Sequence, residues 1–250
     1  MDHERFMRAM ELRDQGKEED ALRELEALAN VTPDPDDKAS LELNQITCLR
    51  RLGRLQEARQ RLGAAMRTLT NPPYADFIDA CLSVSEGQIE EALQKLRAFL
   101  QNHIGMRLID PELYSDAQER LGLLLYQMRR FPDAIGPLEQ ALTLTKDDAI
   151  RRRLCYYIGS SNFECGDFQA AEPRFAESLL LDRRDPLWAQ AQYYLGHIYF
   201  KKGAYFKAQR AFGLCECFMD DSDTRLKEEV LSWLAATRHK LSEHSESRSQ

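Results

Sequence analysis

The amino-acid sequence predicts an all-α protein: a solenoid of about six helix-turn-helix units followed by one terminal helix. Three features of its 250 residues carry that expectation. Marker residues recur at a near-constant spacing, each unit holds two runs with helical periodicity, and in several units a glycine separates the runs.

The spacing is clearest in "LGLLLYQMRRFPDAIGPL" (121–138), "IGSSNFECGDFQAAEPRF" (158–175) and "LGHIYFKKGAYFKAQRAF" (195–212). Gly122, Gly159 and Gly196 follow one another at 37 residues, as do Ala134, Ala171 and Ala208. Weaker copies place Ala21, Ala58 and Ala92 at the equivalent point, so the six alanines are separated by 37, 34, 42, 37 and 37 residues. A unit of this length cannot bury its apolar face alone, and a period in this range signals stacking.

Within each unit the first run is an amphipathic helix, as in Leu195 and Tyr199, and the second is another, as in Ala208 and Phe212. Gly87, Gly166 and Gly203 fall where the first helix must end, because glycine takes the left-handed conformation at little cost. Gly122, Gly159 and Gly196 sit inside first helices, where glycine costs about 1 kcal/mol relative to alanine. Such a cost at matching positions implies close approach of the neighbouring helix. Pro132 suits a first turn, whereas Pro137 and Pro173 lie deeper in second helices. After the sixth unit, "TRLKEEVLSWLAATRHKL" is one more amphipathic helix, with Leu226, Val230, Trp233, Leu234 and Leu241 on one face. It is expected to cap the array.

These marks resemble the tetratricopeptide repeat family. Its Leu-Gly, following aromatic, Ala and later large apolar residue appear as Leu195, Gly196, Tyr199, Ala208 and Phe212, and in part as Leu121, Gly122, Ala134 and Leu138. The resemblance spans roughly residues 3 to 220. No unit has the family's early Trp, the fifth has Asn162 where an aromatic is usual, and the first three lack Leu-Gly. It implies a right-handed α-solenoid with three weaker units in 1–110 and three stronger ones in 111–221; the terminal helix is expected to cap over 222–241, and the polar, apolar-free 242–250 to be a disordered tail. The longest spacing puts extra chain around "NHIGMRLIDPEL", a joint between the two halves.

Composition narrows the function. The net charge is −7, all of it carried by the first 125 residues, which argues against nucleic acid as partner. The start "MDHERFMRAM" has no apolar leader and no run is long enough to cross a bilayer, so a cytoplasmic protein without membrane insertion is expected. The six scattered cysteines read as small apolar side chains in a reducing compartment. Of Cys215 and Cys217, alternate positions on a helix, one is expected to be buried and the other to face elsewhere.

Catalytic motifs are absent: there is no GxxxxGK, GxSxG, HExxH or CxxC. The expectation is a non-enzyme that needs no cofactor or metal. What remains is surface. One stripe of each first helix packs on its own second helix, and a second stripe, rotated away, reads Tyr193, His197 and Phe200 in the sixth unit. Its equivalents are Arg153, Tyr156, Ser160 and Phe163 in the fifth, and Asp116, Glu119, Leu123 and Tyr126 in the fourth. The resemblance implies that such a stripe lines a concave groove holding a peptide or a partner's helix. The partner-binding candidates are therefore Tyr126, Arg153, Tyr156, Phe163, Tyr193, His197 and Phe200, with Arg153 and His197 as polar anchors. The run Arg151-Arg152-Arg153 reads as a solvated face, the alternative being an acidic partner or ligand docking at the groove mouth. The family's clamp for an acidic C-terminal tail is not expected, because neither Asn44 nor Arg120 nor Arg153 is framed by the required Lys and Asn.

The function expected is thus an interaction scaffold or adaptor for a protein or peptide, of no stated oligomeric state. The alternative is a peptide- or small-molecule-responsive sensor that changes superhelical closure.

Overall fold

The computed structural model describes residues 1–67, 73–180, 182–220 and 223–247, the last four of these as backbone only. Fourteen helices and no strands occur among the described residues. The chain divides into two compact units, Met1–Leu113 and Tyr114–Gln250.

In the first unit the pairs are α1 (His3–Asp14) with α2 (Glu18–Val31), α3 (Pro35–Arg51) with α4 (Leu55–Ala65), and α5 (Pro73–Ser85) with α6 (Ile89–Asn102). The one-turn α7 (Met106–Ile109) follows, and α8 (Pro111–Gln127) begins at the boundary. In the second unit α8 pairs with α9 (Phe131–Leu144), α10 (Asp148–Glu164) with α11 (Phe168–Ser178), and α12 (Pro186–Lys201) with α13 (Tyr205–Phe218). The terminal helix α14 (Thr224–Ser247) packs on α13.

All six pairs share one turn. The residue two before each second helix has positive φ: Gly16, Gly53, Gly87, Arg129, Gly166 and Gly203, with φ from 58° at Arg129 to 82° at Gly166. The next residue donates its N–H five residues back, as in Lys17 to Leu12 O, Arg130 to Leu125 O and Ala204 to Tyr199 O, each at 2.9 Å. This closes the orphan carbonyls of the first helix. Arg129 holds a position where an L side chain is strained by about 1 kcal/mol, which a periodicity of glycines alone does not reveal. The fourth residue of every second helix is alanine, and Ala21, Ala58, Ala92, Ala134, Ala171 and Ala208 are all fully buried. That settles the register of the three weak units.

The mid-helix glycines have the cause inferred from sequence. A Cβ on Gly196 would lie 2.5 Å from the Phe212 ring, on Gly122 2.6 Å from Leu138, and on Gly159 3.1 Å from Phe175. Each large residue is fully buried, so the second helix of a pair seats its bulkiest apolar group over the glycine of the first. Asn162, the departure in the fifth unit, satisfies its amide by donating to Ile158 O at 3.0 Å.

The extra residues of the long spacing are clamped to α5. His103 Nε2 meets Asp76 Oδ2 at 2.7 Å, and the Tyr74 hydroxyl bonds Asp110. Phe77 packs on Phe99 beneath this segment. Cys48, Cys81, Cys155 and Cys215 are buried free thiols, while Cys165 and Cys217 are exposed, as the alternation of Cys215 and Cys217 requires.

The terminal helix α14 runs through Ser247, past the 241 expected for the cap, and Lys240 pairs with Glu243 one turn on at 2.8 Å. Residues 248–250 of the expected tail lie outside the described residues.

Candidate partner-binding site

The candidate site lies in the second unit, where α8, α10, α12 and the start of α14 surround a hollow of about 340 Å³ lined by Tyr126, Tyr156, Tyr193, Tyr194 and Gln190, with Asp223, Arg225, Leu226 and Glu229 at its edge. Successive first helices present one stripe each to it. Asp147 caps α10 by accepting Ala149 N–H at 2.7 Å and Ile150 N–H at 3.0 Å, and Asp185 caps α12 by accepting Leu187 N–H at 2.9 Å. These caps set where each stripe begins.

The rings form a continuous edge-to-face set: Tyr126 to Tyr157 at 5.1 Å, Tyr157 to Tyr156 at 5.3 Å and Phe163 to Tyr194 at 4.9 Å, while Tyr194 stacks on Phe175 at 5.1 Å. Their hydroxyls are tied across repeats. Tyr156 donates to Gln190 Oε1 at 2.5 Å, Tyr126 shares a proton with Ser160 at 2.9 Å, and Arg153 donates to Glu119 at 2.8 Å. All three bonds join residues 34 apart in a region whose repeat is 37. A groove residue therefore meets the next first helix about one turn before its own equivalent. That offset points from Tyr156 to Gln190, which pattern-matching by equivalent positions misses.

Burial pushes the phenol of Tyr156 far above its usual value, and burial with the Glu229 bond does the same for Tyr193. These hydroxyls stay protonated at neutral pH and act as hydrogen-bonding groups. Among the described residues no group of three or more His, Cys, Asp or Glu side chains is placed to hold a metal ion.

The structure divides the residues expected to bind a partner. Tyr126, Tyr156 and Tyr193 line the hollow, although Tyr156 is only 3% exposed. Arg153, 44% exposed at its side chain, stands beside the cluster in its pair with Glu119. Phe163 is half-buried between Tyr194 and Phe168. His197 and Phe200 are covered by α14: Trp233 lies 4.5 Å from the His197 ring and 5.1 Å from Phe200. His197 also touches Tyr193 at 4.4 Å and Phe212 at 5.3 Å, and its buried Nε2 has no hydrogen-bond partner among the described residues. Burial among these rings, with repulsion from Lys201, lowers its pKa to about 4. The expected polar anchor is thus a neutral packing ring. The stripe continues the groove pattern, but the apolar face of the terminal helix needs a seat and the last first helix provides it.

Two residues of the Arg151–Arg153 run form ion pairs from half-exposed positions. Arg151 bonds Glu177 at 3.2 Å and Arg153 bonds Glu119 at 2.8 Å.

A family model described as tetratricopeptide repeat matches residues 6–74, 80–149 and 158–212, most of the chain. The chain belongs to the tetratricopeptide repeat family. Solved structures share the tetratricopeptide-repeat fold at low identity. The apo form of RapI has a TM-score of 0.72 at 14% identity, covering 97% of this chain and 72% of that one. BtubC from P. vanneervenii has a TM-score of 0.63 at 17% identity, covering 82% and 89%. YrrB, described as a TPR protein with an unusual peptide-binding site, has a TM-score of 0.62 at 19% identity, covering 83% and 96%. Comparison with curated proteins finds no significant sequence relative. No helix of the described residues is long and apolar enough to cross a membrane.

Proposed function

We propose that this tetratricopeptide-repeat chain is a non-catalytic scaffold or adaptor that receives a peptide or partner segment in the tyrosine-lined hollow of its second unit. The observation that carries the reading is the hollow itself: aromatic faces and hydroxyls from three consecutive first helices converge on about 340 Å³. Tyrosine gives large contact area at low entropic cost and a polar tip, the combination that interface centres favour. Tyr126, Tyr156, Tyr193 and Tyr194 supply that area, Gln190 and Arg153 supply polar contacts, and Phe163 backs Tyr194. The peptide-binding site described for YrrB, a protein of similar fold, makes an extended peptide a fitting occupant. A cytoplasmic setting suits the four buried free thiols.

The test is Gln190→Arg, which places a long side chain in the hollow from a half-exposed position. A partner recovered with the wild type and cross-linked to Tyr126 or Tyr193 loses most of its affinity for the variant, with helicity unchanged. Full recovery by an equally folded variant overturns the site.

A further inference from the structure

The polar groups around the hollow are biased toward accepting hydrogen bonds. Tyr156 spends its proton on Gln190, and Tyr193 spends its proton on Glu229 Oε2 at 2.9 Å. Once a phenol has donated, what it offers an incoming group is oxygen lone pairs. The edge adds two carboxylates, Asp223 and Glu229, against one guanidinium, Arg225. Arg225 is 90% exposed and holds Glu229 only through Nε at 3.2 Å, a pair that competes weakly with a better-placed cation. Tyrosine faces also attract cations through the ring quadrupole. Oxygen lone pairs, ring faces and an excess of carboxylate share one complement, a charged donor-rich group on an apolar stem.

Resting on the scaffold reading above, we propose that the hollow is a cation-recognising subsite: it takes the side chain of a lysine or arginine from the partner segment, the stem against Tyr193 and Tyr194 and the charged head toward Glu229 and Asp223. The affinity of this chain for partners is then set by a basic residue, the opposite of an acidic-tail clamp.

The experiment uses the full chain and four acetylated, amidated nonapeptides, Gly-Ser-Gly-Ala-X-Ala-Gly-Ser-Gly, with X as lysine, arginine, norleucine or glutamate, titrated by NMR. The lysine and arginine peptides bind about tenfold tighter than norleucine, and glutamate binds weakest. In Glu229→Gln, which keeps an acceptor for Tyr193, the preference over norleucine shrinks to about twofold, whereas in Glu216→Gln, outside the hollow, it is retained. Norleucine or glutamate binding as tightly as lysine overturns the cation subsite and leaves the scaffold standing. No binding by any peptide also overturns it, and the scaffold is then judged by the Gln190→Arg result alone.

Discussion

Gly196→Ala adds a single methyl group inside a helix, and the structure sets the sign of its effect against the usual rule. In an open helix the change stabilises by about 1 kcal/mol, because alanine loses less backbone entropy. Here the added Cβ falls 2.5, 2.6 and 2.8 Å from three atoms of the Phe212 ring. Carbon atoms rest at about 3.5–4.0 Å, so the ring must retreat by about 1 Å. It has no space to do so: Phe212 is fully buried, with His197 5.3 Å away and Trp233 stacked behind it at 6.1 Å. Overpacking of this kind costs about 1–3 kcal/mol. Set against the propensity gain, the net is a loss of up to about 2 kcal/mol, a Tm lower by up to about 6 °C in a chain of this size. Gly213 is the internal reference, since it lies inside α13 with nothing within 4 Å of its Cβ position. Gly213→Ala raises Tm by about 2–3 °C, and Gly159→Ala, whose Cβ meets Phe175 at 3.1 Å, falls between the two. Calorimetry and circular-dichroism melts of the three variants check the order. A Gly196→Ala protein that melts as high as Gly213→Ala refutes the close-approach argument.

The remaining perturbations probe the cap and the turns. His197 is depressed from 6.5 to about 4, facing Lys201 and Glu229 among its rings, so its contribution is complete above pH 6.5 and is lost as pH falls toward 4. That interval is worth at most about 3 kcal/mol, cut to about 1–2 kcal/mol by the ring's partial exposure. His197→Leu removes this loss, and equal pH dependence of urea midpoints for variant and wild type between pH 6.5 and 4 refutes the assignment. Trp233→Ala removes the cover over His197 and Phe200 and costs about 2–3 kcal/mol, read as faster amide exchange in α12 and α14. Arg129→Gly relieves the one strained non-glycine residue among the described residues and stabilises by about 1 kcal/mol, seen as a higher Tm. Asp147→Ala strips the N-cap of α10 and destabilises by about 1 kcal/mol in urea titration.

The repeat was legible in the sequence because a solenoid writes its packing locally. Ala208 must be small where second helix meets first, Gly196 must be bare where Phe212 sits, and Gly203 must turn left-handed, each within a single repeat of its neighbours in the chain. The alanine recurs in all six units, the turn glycine in five and the bare mid-helix glycine in three, so period and residue type together determined the six pairs and the terminal helix. The tertiary structure alone decided which aromatics line the hollow. Tyr193 and His197 occupy the same stripe one turn apart, yet Tyr193 reaches the hollow while His197 lies under Trp233, because α14 crosses back over the last first helix. Gln190, Asp223 and Glu229 join the site by an offset between stacked helices, which depends on their packing and leaves no mark in the repeat itself. Local sterics repeat along the chain and can be read from it; the covering of a face depends on a helix more than thirty residues away, and only the folded array brings it there.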